Sequence, residues 1–149
     1  MTVSSVRTPK ECLERAVVFK SDAEQLKSIN SQWYAVAYFY AAFHAIRSAL
    51  MLDPVFQDIV RLHGFDASWV PSDRFNSHHQ ARRNSGAIGA PGVLDMVKEL
   101  YPAIAIEYAQ LHSASVSVRY GLGLGGYDQA ALTRSYEKIA AAVMVGLAA

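Results

Sequence analysis

Two polar side chains, His44 and Arg47, interrupt a twenty-residue stretch, 33–52, that is otherwise almost wholly apolar, and the hydroxyl of Tyr40 lies in line with them. The three residues follow one another at spacings of four and three, so on a helix they project to the same side. An arginine buried in such a helix must be compensated by a carboxylate, water or a bound anion, because an unpaired charge is costly away from solvent. The pattern therefore predicts a polar pocket inside the fold that binds an anionic ligand.

A second arginine, Arg119, stands in a weakly polar segment directly before Tyr120. We expect Arg119 to reach the pocket, since two neighbouring arginines are best relieved by an anion. Tyr120 is included among the ligand-binding candidates. The alternative for Arg47 is structural: its long side chain reaches the end of the helix and pairs with Asp53 or Glu107.

The main concentration of basic residues is the run R-F-N-S-H-H-Q-A-R-R at 74–83. Imidazole and guanidinium groups in such a run bind phosphate, and the same composition is found at solvated helix ends. His78 is a ligand-binding candidate of this run. Both readings of the run stay open from the sequence.

Two other patterns predict no chemistry. The segment 121–126 matches G-x-G-x-x-G, but it lacks the preceding strand and the later acidic residue of a dinucleotide site, so it indicates a turn. The five histidines show no metal-binding spacing and Cys12 is the single cysteine. We expect neither a metal nor a cofactor.

Composition limits the class of protein. The chain has 149 residues, the size of one domain, and 1–149 is interpreted as a single domain with a frayed start at 1–7. A formal net charge of +1 gives no global electrostatic case for nucleic acid. His44 and Arg47 would be costly in lipid, and the N-terminal residues show no signal-peptide pattern. The expectation is a cytoplasmic protein without a membrane segment. Its 52% hydrophobic content favours a homodimer.

Apolar periodicity and helix-capping residues predict an all-α protein, an antiparallel up-and-down bundle of four main helices with short additional helices. Pro102 should kink or break the third long segment. Gly64 should end a short helix that follows Asp53-Pro54. The predicted helices cover 8–29, 33–52, 55–62, a brief element from 72 or 73 to 83, 91–120 and 128–147.

Three separated pieces resemble the HEPN-domain family (higher eukaryotes and prokaryotes nucleotide-binding). The run A-Y-F-Y-A-A-F-H-A-I-R-S-A-L at 37–50 is similar to the long central helix of that family. Ser77-His78 resembles its serine- or threonine-histidine element, and the segment 111–121, which ends in V-R-Y-G, resembles its arginine-containing C-terminal region. The resemblance spans about 30–145 and implies a helical bundle that is often dimeric.

Many HEPN members are ribonucleases of toxin–antitoxin and phage-defence systems that carry Arg-x4–6-His. In this chain Arg74 and His79 satisfy that spacing, so the resemblance makes them the candidate catalytic pair, whereas no histidine follows Arg119. The resemblance thus implies a conflict-system protein that binds RNA, a nucleotide or a protein partner such as an antitoxin. Two alternatives remain open, a metal-independent endoribonuclease and a non-catalytic scaffold subunit.

Overall fold

The computed structural model of the chain describes residues 8–80 and 90–147. Within these ranges every regular element is helical and no strand occurs, which confirms the all-α class. The described residues form six α-helices: α1 (Pro9–Ser28), α2 (Tyr34–Leu52), α3 (Ile59–Phe65), α4 (Val93–Leu100), α5 (Pro102–Tyr120) and α6 (Gln129–Val145). Two 3-10 helices, Pro54–Gln57 and Pro71–Phe75, flank α3.

Local chemistry explains where the long helices begin. Thr8 Oγ1 accepts a hydrogen bond from the Glu11 backbone N–H at 3.1 Å, and Asp128 Oδ1 accepts one from Ala130 at 3.2 Å. Pro102 breaks the predicted segment 91–120 into α4 and α5 and occupies the first turn of α5, where its missing N–H costs nothing. The predicted break is therefore confirmed.

Two of the shorter elements were predicted wrongly. Gly64 lies inside α3, which runs on to Phe65, and the preceding turn is a separate 3-10 helix. The helix predicted from 72 or 73 to 83 ends at Phe75, so Ser77 and His78 lie in irregular backbone. The Pro at the start of that turn and the side chain of Asp73, which binds the Val70 N–H, favour one short turn without further propagation. Residues 81–83 of the prediction, like 1–7, lie outside the described residues.

Helix α2 is the centre of the fold and packs against α1, α5 and α6. The segment Tyr34–Gln57, which contains α2, is long and apolar enough to span a membrane. However, 72% of its most apolar part is buried within the protein. Burial on most sides is what a core helix of a soluble protein shows. The packing places the polar side chains of α2 against α1 on one side and α5 on another.

Candidate functional site

The polar stripe of α2 faces the seam with α1. The rings of Tyr40 and His44 both stack on Phe19 of α1, with centroids 5.5 and 5.6 Å away. Arg15 lies over the same Phe19 ring at 5.0 Å. Arg47 is only 5% exposed, and its guanidinium lies 5.8 Å from the ring of Phe43. His44 and Arg47 therefore belong to the α1–α2 seam.

The two acidic partners proposed for Arg47 make other contacts. Asp53 accepts hydrogen bonds from the Tyr101 hydroxyl at 2.8 Å and from the Val55 N–H at 2.9 Å. Glu107 forms an ion pair with Lys138. Both carboxylates thus have structural roles of their own.

Arg119 of α5 reaches Tyr40, one of the three polar residues of the predicted pocket. Its Nη1 donates to the Tyr40 hydroxyl at 3.3 Å, and its Nε donates to the Ser115 carbonyl oxygen at 3.4 Å. The guanidinium also lies 5.0 Å from the ring of Tyr120, a side chain that is 78% exposed. Arg119 consequently connects the α1–α2 seam to the solvent-facing end of α5.

His79 packs on His112, a residue of α5 to which the sequence analysis gave no role. Their ring centroids are 3.7 Å apart at an interplanar angle of 27°. His79 Nδ1 is hydrogen-bonded to the Tyr108 hydroxyl at 2.7 Å, and both imidazoles contact Phe39 with centroids 5.2 Å away. A deeply buried tyrosine thus fixes one edge of the His79 ring.

Backbone contacts hold His79 in position although it lies in an irregular segment. The carbonyl oxygens of His78 and His79 accept hydrogen bonds from the N–H groups of Val93 and Leu94, at 2.8 and 3.0 Å. These N–H groups belong to the first turn of α4, where helical partners are missing. The first turn of α4 therefore anchors the segment that carries both histidines.

Burial and positive neighbours both oppose protonation of these imidazoles. Desolvation lowers the pKa of His79 to about 3, assisted by His112, Arg119 and Lys98. Desolvation and Arg119 also lower the pKa of His112. Both rings are therefore neutral at pH 7. The charged neighbours that lower these two pKa values at pH 7 are Arg119 and Lys98, and cations of this kind would attract an anion.

One polar atom of the cluster lacks a partner. His79 Nε2 is buried and forms no hydrogen bond with any described residue. Buried polar atoms in proteins are almost always satisfied, so such an atom marks a place where a further group completes the hydrogen bonding. We call the set Tyr40, His79, His112 and Arg119 the His–Arg cluster.

The structure does not join Arg74 to His79. The Arg74 guanidinium lies 4.7 Å from the ring of Phe75, and no contact links it to His79 among the described residues. His78 is exposed and lines a shallow cavity of about 240 Å³. The basic run is thus divided, with His79 directed to α5 and His78 to the surface.

The spacing of α5 contains a signal for the missed residue. Tyr108, His112 and Arg119 stand four and seven residues apart and share one side of the helix. The described residues contain no group of three or more histidine, cysteine or acidic side chains arranged to hold a metal ion.

No protein-family model matches the chain, and no characterised protein or solved structure matches it either.

Proposed function

We propose that this chain is a HEPN-like helical protein of a bacterial or phage conflict system that binds phosphate groups of RNA or of a nucleotide at the His–Arg cluster. The proposed architecture is an antiparallel up-and-down bundle of four main helices, α1, α2, α5 and α6, in a cytoplasmic homodimer. The observation that carries the proposal is the position of Arg119, which donates to Tyr40 and lies close enough to two stacked imidazoles to lower the pKa of both.

The cluster has the groups that recognise a phosphate. Arginine presents several N–H donors in a planar arrangement that fits phosphate oxygens. His79 and His112 add imidazole nitrogens, and a nearby phosphate favours their protonated, donating form by offsetting the charge of Arg119. The exposed Tyr120 ring beside Arg119 offers an aromatic face on which a base can stack. Phosphate and base contacts together favour a nucleotide-containing ligand over free phosphate.

The test measures binding of a fluorescein-labelled single-stranded RNA by fluorescence anisotropy, with unlabelled mononucleotide and inorganic phosphate as competitors. Arg119→Gln should weaken binding about ten- to a hundredfold, the loss expected when a hydrogen bond to a charged group is removed. Arg134→Gln is the matched control, because Arg134 is exposed on α6 and carries the same charge. Equal effects of the two substitutions would show that the affinity is non-specific electrostatic attraction and would refute the proposed site.

Metal-independent RNA cleavage is the second candidate, and the His79–His112 pair favours it. A neutral imidazole can accept the proton of a 2′-hydroxyl, while a second imidazole, protonated beside bound phosphate, can protonate the leaving 5′-oxygen. Arg119 would stabilise the charge that develops on phosphorus-bound oxygens. This arrangement uses His79 with His112 and Arg119 in place of the pair Arg74 and His79.

Cleavage is tested by incubating the purified protein with total RNA in EDTA. The nuclease proposal requires cleavage that His112→Asn abolishes and that Arg74→Gln retains. Binding without cleavage leaves the first proposal in place and excludes the second. A neighbouring gene for a nucleotidyltransferase antitoxin would favour the toxin interpretation. If the wild-type protein binds no RNA, a scaffold subunit or a protein-binding role is favoured instead.

A further inference from the structure

The solvent face of α5 carries no charge. Seven residues of this helix are exposed, and all are uncharged: Pro102, Ala103, Ile106, Gln110, Ser113, Val116 and Tyr120. The outer faces of α1 and α6 carry exposed charges such as Glu14 and Arg134. A helix face in permanent contact with water is normally rich in charged residues. The composition of α5 is therefore that of a covered face.

The two charged residues of α5 are turned to other partners. Glu107 pairs with Lys138 of α6, and Arg119 donates to Tyr40 of α2. Ile106 is 70% exposed and Val116 is 36% exposed, so large apolar side chains lie on the face itself. Covering this face would remove apolar area from water without burying either charge.

The face is symmetric along the helix. A stripe with spacings of four, three, four, three and four runs along it and has its midpoint at Leu111. Residues at equal distances from that midpoint are alike in size at the two inner levels, small at the first and aliphatic at the second. The outer level pairs a proline with a tyrosine. The stripe is Pro102, Ile106, Ala109, Ser113, Val116 and Tyr120.

We infer that a second copy of this chain covers α5, with the two α5 helices antiparallel across a two-fold axis near Leu111. This inference specifies the surface of the homodimer proposed above. Ile106 then faces Val116 of the partner subunit, and Ala109 faces Ser113 of the partner subunit. The small central residues let the helices approach closely, and the contact from Ile106 to Val116 runs about 15 Å along each helix. Tyr120 lies beyond the end of this contact, so its ring stays open to a base.

The mirror arrangement favours a second copy over a different protein. A two-fold interface uses the same patch on both subunits, so each residue must fit the residue at the mirror position. A different partner, or a lipid surface, imposes no such relation between Ile106 and Val116. The absence of charge also leaves no like-charge repulsion when the face meets itself.

The first experiment measures mass in solution by analytical ultracentrifugation at tens of micromolar. The wild-type protein should be a dimer, and Val116→Glu should raise the dimer dissociation constant by at least about tenfold, because a carboxylate would be buried against Ile106 of the partner subunit. Val60→Glu is the control, since Val60 is 81% exposed on α3. Circular dichroism of each variant checks that the fold is retained.

The second experiment tests the register. Ile106→Lys alone should also weaken the dimer, whereas the double variant I106K/V116E should restore it, because lysine then faces glutamate at both mirror positions. A monomeric wild-type protein would overturn the homodimer and this surface together. A dimer that V116E leaves intact, or that the double variant fails to restore, would overturn the surface alone. RNA affinity measured with Arg119→Gln reports separately on the His–Arg cluster.

Discussion

The imidazole rings of His79 and His112 stack with their centroids 3.7 Å apart, although one lies in irregular backbone and the other in the middle of α5. The hydroxyl of Tyr108 binds His79 Nδ1 at 2.7 Å and fixes the orientation of that ring. Arg119 lowers the pKa of both imidazoles in addition to their burial. The stack is therefore most stable when both rings are neutral.

We predict that the folded state loses stability as the pH falls below about 6.5, the ordinary pKa of histidine, towards about 3, the pKa of His79. In that interval the unfolded chain binds a proton that the folded chain excludes, so acid favours unfolding. Melting temperatures recorded across this range should fall by several degrees. His79→Asn, which keeps an amide near Tyr108, should reduce the slope, whereas His78→Asn at the exposed neighbour should not change it.

Gly123 should disfavour a side chain. Its φ of +95° is strained for other residues, and an added Cβ would displace the side-chain amide of Gln32. That amide oxygen also accepts a hydrogen bond from the Leu124 N–H at 3.3 Å. Gly123→Ala should destabilise the protein by about 1–3 kcal/mol in urea unfolding.

The comparison is Gly64→Ala. Gly64 lies inside α3 and an added Cβ meets no atom within 4 Å. Alanine there should raise the free energy of unfolding by about 0.5–1 kcal/mol, because it restricts the unfolded chain and favours helix. A gain at Gly123, or a loss at Gly64, would contradict the local geometry of the two sites.

The sequence predicted most where the signal is local. Pro102 and Asp128 act on the backbone within a few residues, and both mark helix starts in the structure. The apolar stretch 33–52 likewise determined that α2 is the buried central helix. Gly64 was interpreted wrongly because a glycine near the end of a helix can lie inside the helix or directly after it. Which of the two occurs depends on contacts with residues distant in the sequence.

The site was less predictable than the helices. The contact of Arg119 with Tyr40 followed from the need to satisfy polar groups on buried helices. His79 gave no such signal, because irregular backbone has no period from which the direction of a side chain can be deduced. Arg74 and His79 would share a face only if one helix carried both. The helix that contains Arg74 ends at Phe75, so their spacing in the sequence does not bring the two side chains together.

Arg47 should separate a structural arginine from a ligand-binding one. Burial, and after it the charge of Arg47, lowers the pKa of His44 to about 4. Burial raises the pKa of the Cys12 thiol, and Arg47 partly opposes that rise. Arg47 thus lies in the α1–α2 seam. Arg47→Met should therefore lower the free energy of unfolding by about 1–3 kcal/mol, seen as a lower melting temperature, and leave RNA affinity unchanged. Arg119→Gln should lower RNA affinity and leave the melting temperature nearly unchanged. Near-normal stability of Arg47→Met with lost RNA stabilisation would move the binding site to the seam.

A hydrogen bond between Tyr101 and Asp53 connects the start of α5 to the end of α2. The Tyr101 hydroxyl donates to Asp53 Oδ2 at 2.8 Å, and both side chains are buried. Burial, together with the bond to Asp53, raises the pKa of Tyr101 far above its ordinary value, so the phenol stays protonated and donates at all physiological pH. Tyr101→Phe keeps the ring but leaves the buried carboxylate oxygen without its donor. We expect the free energy of unfolding, measured by chemical denaturation, to fall by about 1–3 kcal/mol.

Tyr127→Phe, at an exposed tyrosine, is the control and should change stability little. Equal stability of both variants would show that water replaces the hydroxyl and that the bond contributes nothing to the packing of α5 on α2.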